Sequence, residues 1–239
     1  MIGHASPHKT LPRSTERVMG WVLLALIPGT LVMLYSFGIG VLINLTLCIA
    51  TGVLTEWSIL RVRGRDPRPA IKDLSGVVAC ALLGLSLPPL APFWIAVLGA
   101  VLTVGLAKQL FGGLGHNPFN PAMVAYATLL ISFPIAMSTT WIDPTQTPSW
   151  SQSLSAQFMG ADGYSGATPL DRYKDMATRF TEAEIRQDSV FGGSLTGLWT
   201  WLAAAWLVGG IIMIVKRITY WHAPVGLLIG IALPAGVFG

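Results

Sequence analysis

Hydrophobic residues run along this chain in long blocks rather than alternating with polar ones. Blocks of roughly 18 or more apolar residues read as transmembrane helices. Seven apolar spans are predicted, over 18–36, 39–60, 73–87, 92–111, 121–137, 194–215 and a last one that begins near Ala223 and is still apolar at Gly239. The third opens at Asp73, a good N-cap residue, and stops at Pro88-Pro89. At about 1.5 Å per residue it reaches only about 22 Å, short of a ~30 Å hydrocarbon core. The fifth follows the stretch GGLGHNPFNP. Short spans and Gly/Pro breaks are how transporter folds build discontinuous helices around a midplane site. Irregular backbone is not tolerated against lipid, so GGLGHNPFNP is predicted to be covered by protein or to line a cavity. The pattern defines an all-α polytopic membrane protein with about seven transmembrane helices, some of them short or broken.

The long polar segment lies between the fifth and sixth spans. It divides the chain into a first membrane half (1–137, five spans), a loop (138–193) and the start of a second half (194–239, two spans). A short helix outside the membrane is predicted over 176–187. The first apolar block has no A-x-A-like site behind a short hydrophobic region and is followed at once by further spans, so it does not read as a cleaved signal peptide. The last helix ends in LPAGVFG with no flanking anchor. An amino-terminal piece of a longer protein, or a natural truncation, is expected.

Composition agrees with this class. Hydrophobic residues make up 53% of the chain and charged ones 11%, against about 25% charged in soluble domains. The net charge of +4 is no nucleic-acid signal, because the basic residues follow topology. Lys9, Arg13 and Arg17 precede the first span. Arg61, Arg63, Arg65, Arg68 and Lys72 fill the second gap, Lys108 ends the fourth span, and Lys216 and Arg217 end the sixth. With the N-terminus in the cytoplasm, every one of these clusters falls on the cytoplasmic side. The loop 138–193 then lies outside. There Arg172, Lys174, Arg179 and Arg186 are outnumbered by Asp143, Asp162, Asp171, Asp175, Glu182, Glu184 and Asp188. The bacterial inner membrane is the expected location.

Candidate chemistry concentrates in two stretches. The first is DGYSGATP, residues 162–169 of the loop. Pro169 disfavours helical geometry at Thr168 and pushes it to extended backbone. Gly163 and Gly166 remove side-chain bulk. The result is a lean strip with one protruding hydroxyl, suited to entering another enzyme's active site; an ordinary Gly/Ser turn would look the same. The second stretch is GGLGHNPFNP, whose Asn117 and Asn120 each precede a proline. Each amide either hydrogen-bonds a ligand edge or caps the broken backbone.

Other polar residues in the spans carry weaker signals. Cys48 and Cys80 lie in apolar blocks without CxxC spacing, as buried thiols or as ligands shared with another subunit. His116 has no second histidine or carboxylate at ligand spacing, so no metal site is expected. Glu56 and Lys108 are intramembrane charges and therefore functional suspects, although snorkelling, or pairing with Arg61 or Arg63, explains them as well. Trp21, Trp94, Trp199 and Trp221 sit near span ends as interfacial anchors. Trp141 and Trp150 belong to the loop and could stack on a ring.

Both stretches resemble one known family. DGYSGAT is similar to the flavinylation motif D-x-x-[ST]-G-A-[ST], with Asp162, Ser165, Gly166, Ala167 and Thr168 matching. GGLGHNPFNPAMVAY, followed by LLISFP, resembles the signature of the NqrB/RnfD membrane subunits, and the RnfD branch most closely. The resemblance covers essentially the whole chain and implies members built from two related halves of about five spans. It implies an electron-carrying membrane subunit of an ion-translocating, Rnf-type ferredoxin:NAD oxidoreductase complex, active only with its other subunits. It also implies FMN attached covalently through a phosphoester to Thr168 by a flavin transferase, and a second, non-covalent flavin, a riboflavin, near Asn117 and Asn120. The competing expectation is a solute transporter or channel with no flavin, in which the SGAT strip is an incidental turn.

Overall fold

The computed structural model describes residues 14–113, 116–142, 147–160, 169–187 and 197–238. These residues form helices and connecting turns, with no strand among them. The elements are α1 (Thr15–Phe37), α2 (Gly40–Val62), α3 (Arg68–Lys72), α4 (Ser75–Ser86) and α5 (Phe93–Val101), which runs directly into a π-helical segment, Leu102–Gln109. Then come α6 (Pro121–Ser132), α7 (Pro134–Ser138), α8 (Trp150–Met159), α9 (Pro169–Ala177), α10 (Glu182–Gln187), α11 (Leu198–Val215) and α12 (His222–Phe238).

Each of the seven predicted spans is occupied by helix. Among the described residues α1, α2 and α11 are long and apolar enough to cross a membrane, whereas α4, Phe93–Gln109, α6 and His222–Pro234 are shorter apolar helices. The breaks have local causes. Asp73 does not begin α4 itself. Its Oδ1 accepts from the Ser75 backbone N–H at 2.7 Å, and between them Leu74 takes a left-handed conformation at φ 60°. The fifth predicted span splits because Pro134 has no N–H to continue the ladder; α6 ends at Ser132 and α7 begins at Pro134.

The outer loop departs most from expectation. The predicted helix over 176–187 is a turn at 178–181 between α9 and α10. α8 was not anticipated at all. It seats on the chain break after α4: Gln157 Nε2 donates to the Pro89 carbonyl at 2.8 Å and the Gly40 carbonyl at 3.1 Å. Asn44 Nδ2 donates to the Pro88 carbonyl at 2.8 Å. Phe158 stacks on Phe93 with centroids 5.0 Å apart. Two side-chain amides thus satisfy the carbonyls that Pro88-Pro89 leaves without helical partners, as a non-aqueous surrounding requires.

The core sits where α2, α4, α5 and α6 meet, with Cys48, Cys80, Leu83, Ile95, Ala100, Val104, Ala125 and Leu129 all buried. Small residues permit the approach, since without a hydrophobic drive between helices close backbone packing does the work. A Cβ on Gly84 would stand 2.9 Å from Leu45 Cα, and one on Gly52 would collide with Cys80 Sγ. Gly29 and Gly209 serve the α1–α11 contact in the same way, against Trp206 and the Ala25 carbonyl.

Candidate functional site

The π-helical segment changes what its side chains face. Leu110 N–H donates to the Gly105 carbonyl at 3.1 Å and Gly113 N–H to the Lys108 carbonyl at 3.0 Å, both five residues back. Such wide turns inside an α-helix are frequent at functional sites. Here the segment brings Lys108 and Gln109 together on Glu56 of α2. Lys108 Nζ lies 2.5 Å from Glu56 Oε1, and Gln109 Nε2 donates to the same oxygen at 2.8 Å. Glu56 and Lys108 are 2% and 3% exposed, so neither snorkels. The expected pairing with Arg61 or Arg63 is replaced by this mutual one. Arg61 instead stands over the Trp57 ring, 5.4 Å from its centroid, and Arg63 donates to the Gln109 carbonyl at 2.8 Å.

Gly76, in the first turn of α4, makes room for the carboxylate; any side chain there would strike Glu56 Oε2. The positive end of the α4 dipole therefore faces a negative group, a favourable arrangement. A cation, an amide and a helix terminus thus surround one buried carboxylate.

Beside this cluster opens a cavity of about 370 Å³. Met19 of α1, Ser75, Val78, Ala79 and Leu82 of α4, Lys108, and the segment from Asn117 to Pro121 line it. GGLGHNPFNP thus lines a cavity where its described residues run. Asn120 caps α6, accepting from Ala122 N–H at 3.0 Å, and Asn117 Nδ2 donates to the Phe119 carbonyl at 2.9 Å. Both amides cap broken backbone, and both also face one cavity. His116 is exposed, and no group of three metal-ligating side chains occurs among the described residues.

Asp162, Ser165, Gly166, Ala167 and Thr168 lie outside the described residues. The two loop tryptophans line different recesses. Trp141 packs edge-on against Phe37, centroids 6.1 Å apart, in a cavity of about 410 Å³ shared with Trp199 and Trp206. Trp150 borders an apolar recess with Ile39, Leu42 and Leu154. Cys48 and Cys80 are free and wholly buried. The Glu56–Lys108 pairing escaped sequence reasoning because its partners lie 52 positions apart. The one available signal was the presence of two opposite charges in otherwise apolar spans.

Basic residues gather at one end of the bundle. Lys72 lies 3.9 Å from Glu16 at the start of α1, and Lys216 at the end of α11 stands 4.4 Å from the centroid of the Trp21 ring.

Interrupted apolar helices around a cavity with a buried ion pair at its wall define an all-α polytopic membrane protein. Comparison with known proteins narrows this: the chain belongs to the NQR2, RnfD, RnfE family, whose model matches residues 2–239. It is 42% identical to the D-type subunit of the ion-translocating oxidoreductase complex of Marinobacter nauticus, over 100% of this chain and 71% of that protein. The corresponding proteins of Alcanivorax borkumensis and Yersinia pestis are 43% and 41% identical, each over 98% of this chain and covered to 70% and 72%.

Proposed function

We propose that this protein is the electron-carrying membrane subunit of an ion-translocating, Rnf-type ferredoxin:NAD oxidoreductase complex, carrying FMN esterified to Thr168. The observation that carries the reading is the match of Asp162, Ser165, Gly166, Ala167 and Thr168 to the flavinylation motif, in a chain of this family. In maturation a flavin transferase would cleave the pyrophosphate of FAD. The FMN phosphorus gains a bond to the Thr168 oxygen, AMP leaves, and the hydroxyl proton is released. Bound FMN supplies the electron transfer. The chain's own residues hold the loop at the membrane face, with α8 anchored on the Pro88-Pro89 break. Its partners are the other subunits, the transferase and membrane lipid.

A bacterial inner membrane with the N-terminus in the cytoplasm and 138–193 outside follows from the positive-inside rule. The meeting of Lys72, Lys216 and the start of α1 at one end supports it. The division into a first half (1–137), a loop (138–193) and the start of a second half (194–239) belongs to the same reading. A second, non-covalent flavin, a riboflavin, is proposed for the cavity of Asn117 and Asn120. What supports it is a mostly apolar wall with a few polar groups, in a volume within the usual range of about 300–1,000 Å³ for ligand pockets. Asn120 uses its carbonyl oxygen on Ala122 N–H, so its amide hydrogens remain to orient a ring.

Co-expression with a flavin transferase, followed by denaturing electrophoresis, tests the covalent site. A fluorescent band is expected, lost in Thr168→Ala and kept in Thr168→Ser, with the Thr168 peptide heavier by one FMN. A dark wild-type band overturns the reading and favours a solute transporter or channel.

A further inference from the structure

Lys108 is the polar part of the cavity wall that the reading above leaves unused. An ammonium carries three N–H donors. Among the described residues the Lys108 ammonium has one acceptor, Glu56 Oε1. Two donors of a 3% exposed cation therefore have no protein acceptor there, a costly arrangement for a buried charge. Glu56 is not free to take more of them. Its Oε1 also accepts from Gln109, and its Oε2 is pressed against Gly76. The Lys108 side chain borders the same cavity as Ser75, Asn117 and Asn120.

We propose that Lys108 is a binding donor for the ligand of this cavity, a flat heteroaromatic ring presenting a carbonyl edge. On the flavin reading, on which this rests, that edge is the C2=O or C4=O side of the isoalloxazine. Glu56 holds the ammonium in place, Asn117 and Asn120 orient the ring from the opposite wall, and Met19 and Leu82 supply apolar surface. Reduction adds negative charge that spreads onto those carbonyls, and a charge-assisted donor strengthens as its acceptor becomes more negative. Lys108 therefore both retains the ring and makes it easier to reduce, which is a task of protein groups around a flavin.

The test uses the whole complex purified from membranes, with Thr168 flavinylated. Acid extraction releases non-covalent flavin and leaves the esterified FMN on the chain, so the two are counted separately. Glu56→Gln combined with Lys108→Gln replaces the ion pair by two amides and leaves no buried charge unpaired. The extractable flavin, relative to the esterified FMN, is expected to fall about ten-fold or more, the usual weight of a hydrogen bond to a charged group. Lys108→Arg keeps a cation beside Glu56 and so guards against misfolding. It is expected to retain the flavin with an altered absorption band and an altered midpoint in a dithionite titration. Wild-type flavin content in the double variant, with an unchanged band and midpoint in Lys108→Arg, overturns the role of Lys108 and leaves the flavin cavity standing. A wild-type complex with no extractable flavin overturns both.

Discussion

α4 and α11 are both apolar helices, yet they live in opposite surroundings. α4 is 12 residues long and buries most of them, Gly76, Cys80, Leu83 and Gly84 included. α11 is 18 residues long and buries Gly209 alone. The sequence of α11 is bulky and uniformly greasy, and its outer surface is the kind that lipid covers. α4 is rich in Gly, Ala, Ser and Cys, because Asn44 and Leu45 on one side and Glu56 on another come too close for anything larger. In this molecule, polar chemistry collects around the short, small-residue helix, and span length by itself marks only the wall.

The largest break in that contrast should come from Glu56→Ala. It leaves Lys108 buried without its partner, at a cost of about 3–5 kcal/mol, whereas Leu207→Ala on exposed α11 should stay within about 0.5 kcal/mol. Cys48 and Cys80 provide the readout. Both are fully buried, so a thiol-reactive dye reports the temperature at which the core opens. A midpoint for Glu56→Ala equal to wild type would refute the picture. Next comes a pair of glycines. Gly84→Ala should cost about 1–3 kcal/mol, because backbone atoms of α2 must move. Gly210→Ala on α11 meets no atom within 4 Å and should cost nothing. Similar losses at both sites would remove the distinction between core and wall. The smallest effect is at Asn120, where alanine should cost about 1 kcal/mol of helix capping and serine should restore it. If Asn120→Ser regains stability but not extractable flavin, capping and binding are separate tasks of one amide.

Much of the fold was legible because long apolar blocks permit few alternatives: α1, α2 and α11 lie within a few residues of their predicted bounds. The breaks at Pro88-Pro89 and at Asn120-Pro121 were legible because proline removes a donor. The π-helical segment was not, since an apolar run reads alike at any helical pitch. α8 was also hidden. Its sequence is polar, and its seat depends on Gln157 meeting carbonyls far away in the chain. At the site, Asn117 and Asn120 could be named from their prolines, but their convergence with Lys108 depends on α4 starting at Ser75 beneath a left-handed Leu74. That placement is tertiary.

A π-helical stretch is in effect an α-helix that has accommodated surplus chain, and this makes the meeting of Lys108 with Glu56 a matter of phase. Were a single residue removed between positions 102 and 107, the ladder could close as ordinary helix, but everything after the gap would swing by about 100°. The ammonium and the Gln109 amide would then point away from the carboxylate, with every amino acid of the cluster still present. In such a deletion, composition and hydropathy would look intact while the pairing was lost.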